Sequence, residues 1–382
     1  MLARRLLAVL LVASLALPLR GEEPAGPLLR KLGEFVESGK LSGVVALVSR
    51  PGKVHRVEAF GVTNLESKQP MQANTIFRIA SMTKPIAATA VLILQDDGKL
   101  SVDDPVGKHL PEFNQAALAG GAKPARPVTI RDLLTHTSGV ANPPAPASGT
   151  NPTLAEIVAS IAHEPLQFEP GSQWKYGSGL TVAGRIVEVA SGKSFQDFVE
   201  ERICRPLKMK DTTFYPTAEQ LQRAATIYKF DKEADKLVAV PPPVWADGEK
   251  RAPNPSGGLY STALDYHRFL QAIAAGGELD GQRIVSTAAI KQMTSNQTGD
   301  LKAGFAPGQA WGLGWGTIRE TTPASLLSPG SFGHGGAFGT QGWVDPARGA
   351  VLILMIARSD LAGSGEPSYW LETQKVAVEL LK

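Results

Sequence analysis

The stretch from Ile79 to Gly98 constrains this 382-residue chain more than any other. It begins Ile79-Ala80-Ser81-Met82-Thr83-Lys84-Pro85 and continues from Ile86 to Leu94 with Thr89 as its one polar residue. The pattern predicts a helix that opens near Ser81 and stops at Gly98, a natural left-handed C′ residue. Pro85 fits only the first turn, where its missing N–H costs nothing. A helix apolar almost all round must lie at a domain centre, with other elements packed on every side. Residues three apart share a helix face, so Lys84 reaches back towards the Ser81 hydroxyl. Free N–H groups and the positive dipole end favour developing negative charge at that terminus.

The rest of the chain can supply such a centre. It is 43% hydrophobic and 20% charged, enough for one large domain or two. Its net charge of +3 comes from interspersed signs, and no nucleic-acid-binding signature is present, so nucleic acid is not an expected partner. Residues 1–21 read as a secretory signal, with Arg4 and Arg5 before an apolar run from Leu6 to Leu17. The expectation is an exported protein, periplasmic or extracellular, with no stable membrane span once the signal is removed. The single cysteine, Cys204, excludes an internal disulfide and reads as a buried structural thiol.

After the signal, Pro27–Ser38 reads as a helix, and Gly43–Val48 and Val54–Phe60 as a hairpin. From about Leu100 to Gly304, helical runs alternate with Pro- and Gly-rich loops. These runs are Thr129–Leu134, Leu154–His163, Leu180–Ala190, Phe195–Ile203 and Leu264–Ala275, with a proline-rich loop at Ala141–Pro152 and an extended Pro241-Pro242-Pro243. Strands return at Trp311–Gly316, Gly339–Val344 and Val351–Ala357, and Trp370–Leu381 closes the chain as an amphipathic helix. The expected fold class is α+β: an antiparallel five-stranded sheet flanked by terminal helices. Residues 22–99 and 305–382 would form this sheet domain and 100–304 a mostly helical insertion, with the active site in the cleft between them.

The chemistry needs an activated nucleophile. Serine is weak at neutral pH, and lysine activates it only when burial or nearby cations lower its pKa from roughly 10.4. A second Ser-x-x-Lys, Ser172 to Lys175, follows Pro170-Gly171 in a turn and opens no helix, so it is set aside. On local grounds Ser81 and Lys84 also fit an N-cap and a solvated first-turn lysine. Tyr176, in a tight loop before the Leu180 helix, is either a phenol drawn towards phenolate by a lysine or a packing residue. Gly330–Gly339 is either a strand edge that approaches a ligand closely or a flexible turn. The histidines at 55, 109, 136, 163, 267 and 334 show no His-Glu-x-x-His pairing, so no metal site is expected. The Gly-x-Ser-x-Gly elbow is absent.

Ser81-Met82-Thr83-Lys84, then Tyr176-Gly177-Ser178, then His334-Gly335-Gly336 resemble, in set and order, the serine β-lactamase and penicillin-binding protein family. Ile130–Gly139, Pro255–Thr262 and Trp311–Trp315 narrow the resemblance to the class C β-lactamase-like branch, which includes family VIII carboxylesterases and D-stereospecific peptidases. The resemblance implies a β-lactamase-like fold and no cofactor. It makes Ser81 the acylated nucleophile, Lys84 and Tyr176 the base system, and the N–H groups of Ser81 and Ala337 the oxyanion hole. Ser178, His334, Gly335 and Gly336 would contact substrate. The chain departs from the family where Tyr-x-Asn becomes Tyr176-Gly177-Ser178 and Lys-Thr-Gly becomes His334-Gly335-Gly336. An amide is lost at the first and a permanent cation at the second, which favours neutral small-molecule esters over β-lactams and peptide carboxylates. The alternatives are a β-lactamase or D-amino-acid peptidase (DD-carboxypeptidase) on the same machinery, and a catalytically silent binding protein with the same fold. Oligomeric state is not readable from the chain.

Overall fold

The computed structural model describes residues 26–50, 53–143, 150–241, 251–361, 366 and 368–382. The signal segment, Pro242-Pro243 and the middle of the loop at 141–152 lie outside the described residues.

The strands are β1 (Gly43–Arg50), β2 (Lys53–Gly61), β3 (Gln309–Trp311), β4 (Gly316–Ile318), β5 (Phe332–Gly335), β6 (Gln341–Asp345) and β7 (Ala350–Met355). They form one seven-stranded antiparallel sheet in the order β2-β1-β7-β6-β5-β4-β3. Both chain ends therefore build it, joined where Val45 pairs with Met355 and Leu47 with Ile353. The expected five strands become seven for two reasons. Trp311–Gly316 is not one strand but the turn of a hairpin, with Gly314 at φ 77°. Phe332–Gly335, read as a glycine-rich edge, pairs on both sides. Glycine spacing in the first stretch marked a chain reversal.

The helices that matter for the site are α1 (Pro27–Glu37), α2 (Thr83–Asp96), α3 (Ile130–Thr135), α4 (Gly179–Ser191), α5 (Ala263–Ala274) and α6 (Tyr369–Leu380). Alternation along the strands separates two cores. Val44, Ala46, Val48, Leu352 and Leu354 pack with Leu28, Leu32 and Phe35 of α1 and Ala377 of α6. Val45, Leu47, Val351, Ile353 and Met355 face the other way, into a larger cluster that runs unbroken through α5 and α2 to α3 and α4.

Within that cluster α2 is buried from Thr83 to Leu94, as its composition requires, and Gly98 ends it in the left-handed region at φ 70°. Helix α3 begins with a capping box between Thr129 and Asp132. Phe195–Val199 passes into a wider turn at Glu200–Cys204 instead of running on as a regular helix to Ile203. The middle of the chain also holds a hairpin, Tyr228–Asp231 with Lys236–Ala239, that the helical reading did not anticipate. No helix among the described residues is long and apolar enough to cross a membrane.

The β3–β4 turn docks directly on α2. The Gly314 amide donates to the Leu134 carbonyl at 2.8 Å, and a Cβ at Gly314 would lie 2.5 Å from that of Ala88. Gly314→Ala therefore combines a left-handed residue with an overpacked contact. It should cost about 2–4 kcal/mol, read as a lower urea midpoint at unchanged m-value.

Candidate active site

Ser81 sits in a short 3₁₀ turn, Ala80–Met82, that leads into α2. Ala80 has φ 44°, a left-handed conformation that costs an ordinary residue ~1–2 kcal/mol. Distant segments hold it there. The Ile79 amide donates to the Leu259 carbonyl at 3.0 Å, and the Leu259 amide donates to Thr83 Oγ1 at 3.1 Å. The Tyr266 hydroxyl of α5 donates to the Met82 carbonyl at 3.0 Å, and Thr340 Oγ1 donates to the Ile79 carbonyl at 3.3 Å. The serine is thus presented by a strained turn clamped from several sides.

Lys84 lies one helical turn on, 3% exposed, with Nζ 3.3 Å from Ser81 Oγ. Nζ also donates to the Ser256 carbonyl at 2.6 Å. Burial away from water lowers its pKa to about 7, so near neutrality much of it is free amine. With one N–H spent on Ser256, its lone pair is available to the Ser81 hydroxyl.

Tyr176 brings its ring beneath the same amine, whose Nζ lies 4.5 Å from the ring centroid. Its hydroxyl is buried without a partner in good hydrogen-bond geometry. Burial pushes the phenol pKa up, and the nearby Ser81 side chain offsets this only in part. The expectation of a phenolate-like base therefore meets an opposing effect: a buried phenol keeps its proton, and Lys84 is the better base of the two.

β5 carries His334 to the opposite wall. His334 is 3% exposed, and its Nδ1 lies 2.6 Å from the Gly335 carbonyl oxygen, so Nδ1 bears the proton and donates. Burial, helped by the charge of Lys84, lowers its pKa to about 3, so the ring is neutral. Beyond it the chain turns tightly, with the Gly336 amide donating to the Thr340 carbonyl at 2.7 Å. A Cβ at Gly336 would lie 2.4 Å from the Ile79 carbonyl oxygen, so only glycine lets this turn close on the segment before Ser81. Neither the Ser81 nor the Ala337 amide donates to a protein acceptor among the described residues, as an oxyanion hole requires.

A cleft of about 410 Å³ opens at this point. It brings together Ser81, Tyr176, His334, Gly335, Gly336 and Ala337, and none of its lining among the described residues carries a formal charge. Ser178 is not in the lining. It is buried, and its hydroxyl donates to Asn142 Oδ1 at 2.7 Å. Sequence reasoning missed Phe305, Trp343 and Trp370, which add aromatic walls, and the Ser256 carbonyl, which holds Lys84. Phe305 is 67% exposed at the mouth, an unusual place for so large an apolar side chain. The Ser256 and Trp370 stretches stood out as a motif and a helix start, but nothing local tied them to Ser81.

A serine activated by a desolvated lysine, beside free backbone amides, defines a serine acyl hydrolase. The chain belongs to the Beta-lactamase family, which it matches over residues 28–376. It is 35% identical over 356 residues to Protein Rv1367c of Mycobacterium tuberculosis, covering 85% of this chain and 87% of that protein. It is 33% identical over 347 residues to Esterase EstB of Burkholderia gladioli, covering 83% and 86%. Its fold is that of EstCE1, a hydrolase with promiscuous acyltransferase activity, at a TM-score of 0.79 and 24% identity over 92% of this chain and 97% of that one.

The lysine must be neutral to accept the Ser81 proton, so kcat/KM for acylation should rise with pH through about 7 as Lys84 deprotonates. His334 titrates near 3 and burial holds His136 well below its ordinary value, so neither produces that inflection. A pH–rate profile checks it, and Lys84→Met should lose about 10³-fold or more in kcat together with the inflection.

Proposed function

We propose that this serine hydrolase is exported and is a carboxylesterase that cleaves small neutral esters through an acyl-enzyme on Ser81. The single observation that supports this best is the uncharged lining of the Ser81 cleft. Among the described residues no Lys or Arg lines it to hold a substrate carboxylate, and the histidine at the family's cationic position is neutral. A relative named as an esterase, EstB, supports the same reading. Export rests on the N-terminal pattern of Arg4, Arg5 and Leu6–Leu17.

In this mechanism Lys84 takes the Ser81 proton while Oγ attacks the ester carbonyl carbon. The tetrahedral oxyanion is held by the Ser81 and Ala337 amides, each such donor contributing ~3 kcal/mol in comparable sites. The C–O bond breaks, and the proton passes from Lys84 through the neutral Tyr176 hydroxyl to the departing alkoxide. Water then gives a proton to the same base as its oxygen bonds to the acyl carbon, the Oγ–C bond breaks, and the proton returns to Ser81 Oγ as the acid leaves. The silent-scaffold alternative has no support in a site whose Ser81 and Lys84 are 3.3 Å apart.

Short p-nitrophenyl acyl esters should turn over readily and nitrocefin poorly. Strong nitrocefin hydrolysis without ester activity would overturn the proposal. Ser81→Ala should lower ester turnover by about 10⁴-fold or more and abolish labelling by a fluorophosphonate probe. Among matched acyl groups, a terminal carboxylate, as in a p-nitrophenyl succinate half-ester against the butyrate, should reduce kcat/KM about tenfold or more, because its charge finds no partner in the cleft.

A further inference from the structure

His136 entered the sequence reading only among the histidines and within Ile130–Gly139; in the structure it ends α3. Its left-handed backbone, at φ 62° and ψ 32°, fits that role, since histidine tolerates the conformation better than most residues. The surrounding contacts give it another. The His136 carbonyl accepts from the Lys175 amide at 2.9 Å, and its Nδ1 accepts from the Gly177 amide at 3.4 Å. Lys175 and Gly177 are the two neighbours of Tyr176, so one residue grips the chain on both sides of the phenol. The imidazole also lies against the phenol ring, with centroids 4.4 Å apart and planes inclined by 44°.

This grip has a cost. With Nδ1 accepting from an amide, the ring proton belongs on Nε2, and Nε2 is buried without a partner among the described residues. Around it stand Trp174 and Trp311, whose own indole N–H groups are also buried and unpartnered. An apolar ring would suit that environment better. A buried polar atom left unsatisfied beside an active site calls for a functional reason.

We propose that His136 is the positioning residue for Tyr176, fixing the phenol so that its hydroxyl meets Ser81 and the departing group. The inference rests on the reading of Tyr176 as a participant in proton transfer. His136 touches no reacting atom and acts wholly through the loop it holds.

The test is a double-mutant cycle on p-nitrophenyl butyrate hydrolysis with His136→Phe, Tyr176→Phe and the pair. His136→Phe keeps a ring against Tyr176 but removes the Nδ1 acceptor and the unpaired N–H. It should lower kcat about tenfold to a hundredfold with KM little changed, because a misplaced group slows chemistry without weakening binding, and the left-handed backbone should lower its melting temperature as well. In the Tyr176→Phe background the same change should add almost nothing. His136→Asn keeps an acceptor near the Nδ1 position and tolerates the left-handed backbone, so it should retain most of the wild-type kcat. Should His136→Phe not fold, His136→Gln, whose acceptor sits one methylene too far, should show the loss that His136→Asn avoids. Full additivity with Tyr176→Phe, or a loss shared by the Asn variant, would overturn the role of His136 alone. A fully active Tyr176→Phe would overturn the reading of Tyr176 and the role of His136 with it.

Discussion

The burial of one lysine is the constraint on which the rest depends. An ammonium in water holds its proton far above neutral pH, and only desolvation or neighbouring cations lower that hold. Here desolvation does it, because Lys84 belongs to the first turn of a helix with no exposed face before Gln95. Packing α2 on every side requires elements from across the chain: the sheet built from both ends, the helices of the middle, and the turns that cap the assembly. The same packing that stabilises the fold makes Lys84 a base. Hydrophobic burial and catalytic competence are therefore one property of α2, and loosening its surroundings would weaken both.

The electrostatics around this amine are consistent with a site that handles protons without holding ions. Its two nearest imidazoles, His136 and His334, are neutral because burial and the lysine's charge both oppose their protonation. The phenol keeps its proton because burial disfavours the charged phenolate. The lysine is then the group whose charge changes near neutral pH, and among the described residues the cleft in front of it carries no fixed charge. The proposed ester substrate would enter on shape and apolar contact, with aromatic walls at Trp343, Trp370 and the exposed Phe305. In the proposed reaction charge develops only at the reacting carbonyl, where the Ser81 and Ala337 amides would meet it. Close backbone approach is what glycine at 336 provides.

Much of this was legible locally. Pro85 in a first turn, Gly98 as a stop, and the helix Leu154–His163 depend on neighbours in sequence, and they stand as read. Placing Ser81, Lys84, Tyr176 and the His334 stretch on one cleft needed the ordered set of motifs, since no single one carries the geometry. What local reading could not reach depends on contacts between distant segments. Trp311–Gly316 looks like a strand until Leu134 and Ala88 are seen to take up its turn. Ser178 looks like a substrate contact until Asn142, from another loop, takes its hydroxyl. His136 looks like a helix end, and its second role exists only because Lys175 and Gly177 fold back against it. The glycines at 314 and 336 mark close approaches, but nothing in their neighbourhood says what approaches.

The central claim is that a lysine-activated Ser81 carries the acyl group. Intact-protein mass spectrometry after a rapid acid quench tests it directly, with the enzyme mixed with a p-nitrophenyl acyl ester in the pre-steady state and the modified peptide then mapped. The expected result is one acyl group per chain, on the peptide that contains Ser81, appearing with the burst of p-nitrophenol and decaying as water releases the acid. Turnover with the acyl group on another residue, or with a burst that leaves Ser81 unmodified, would contradict it.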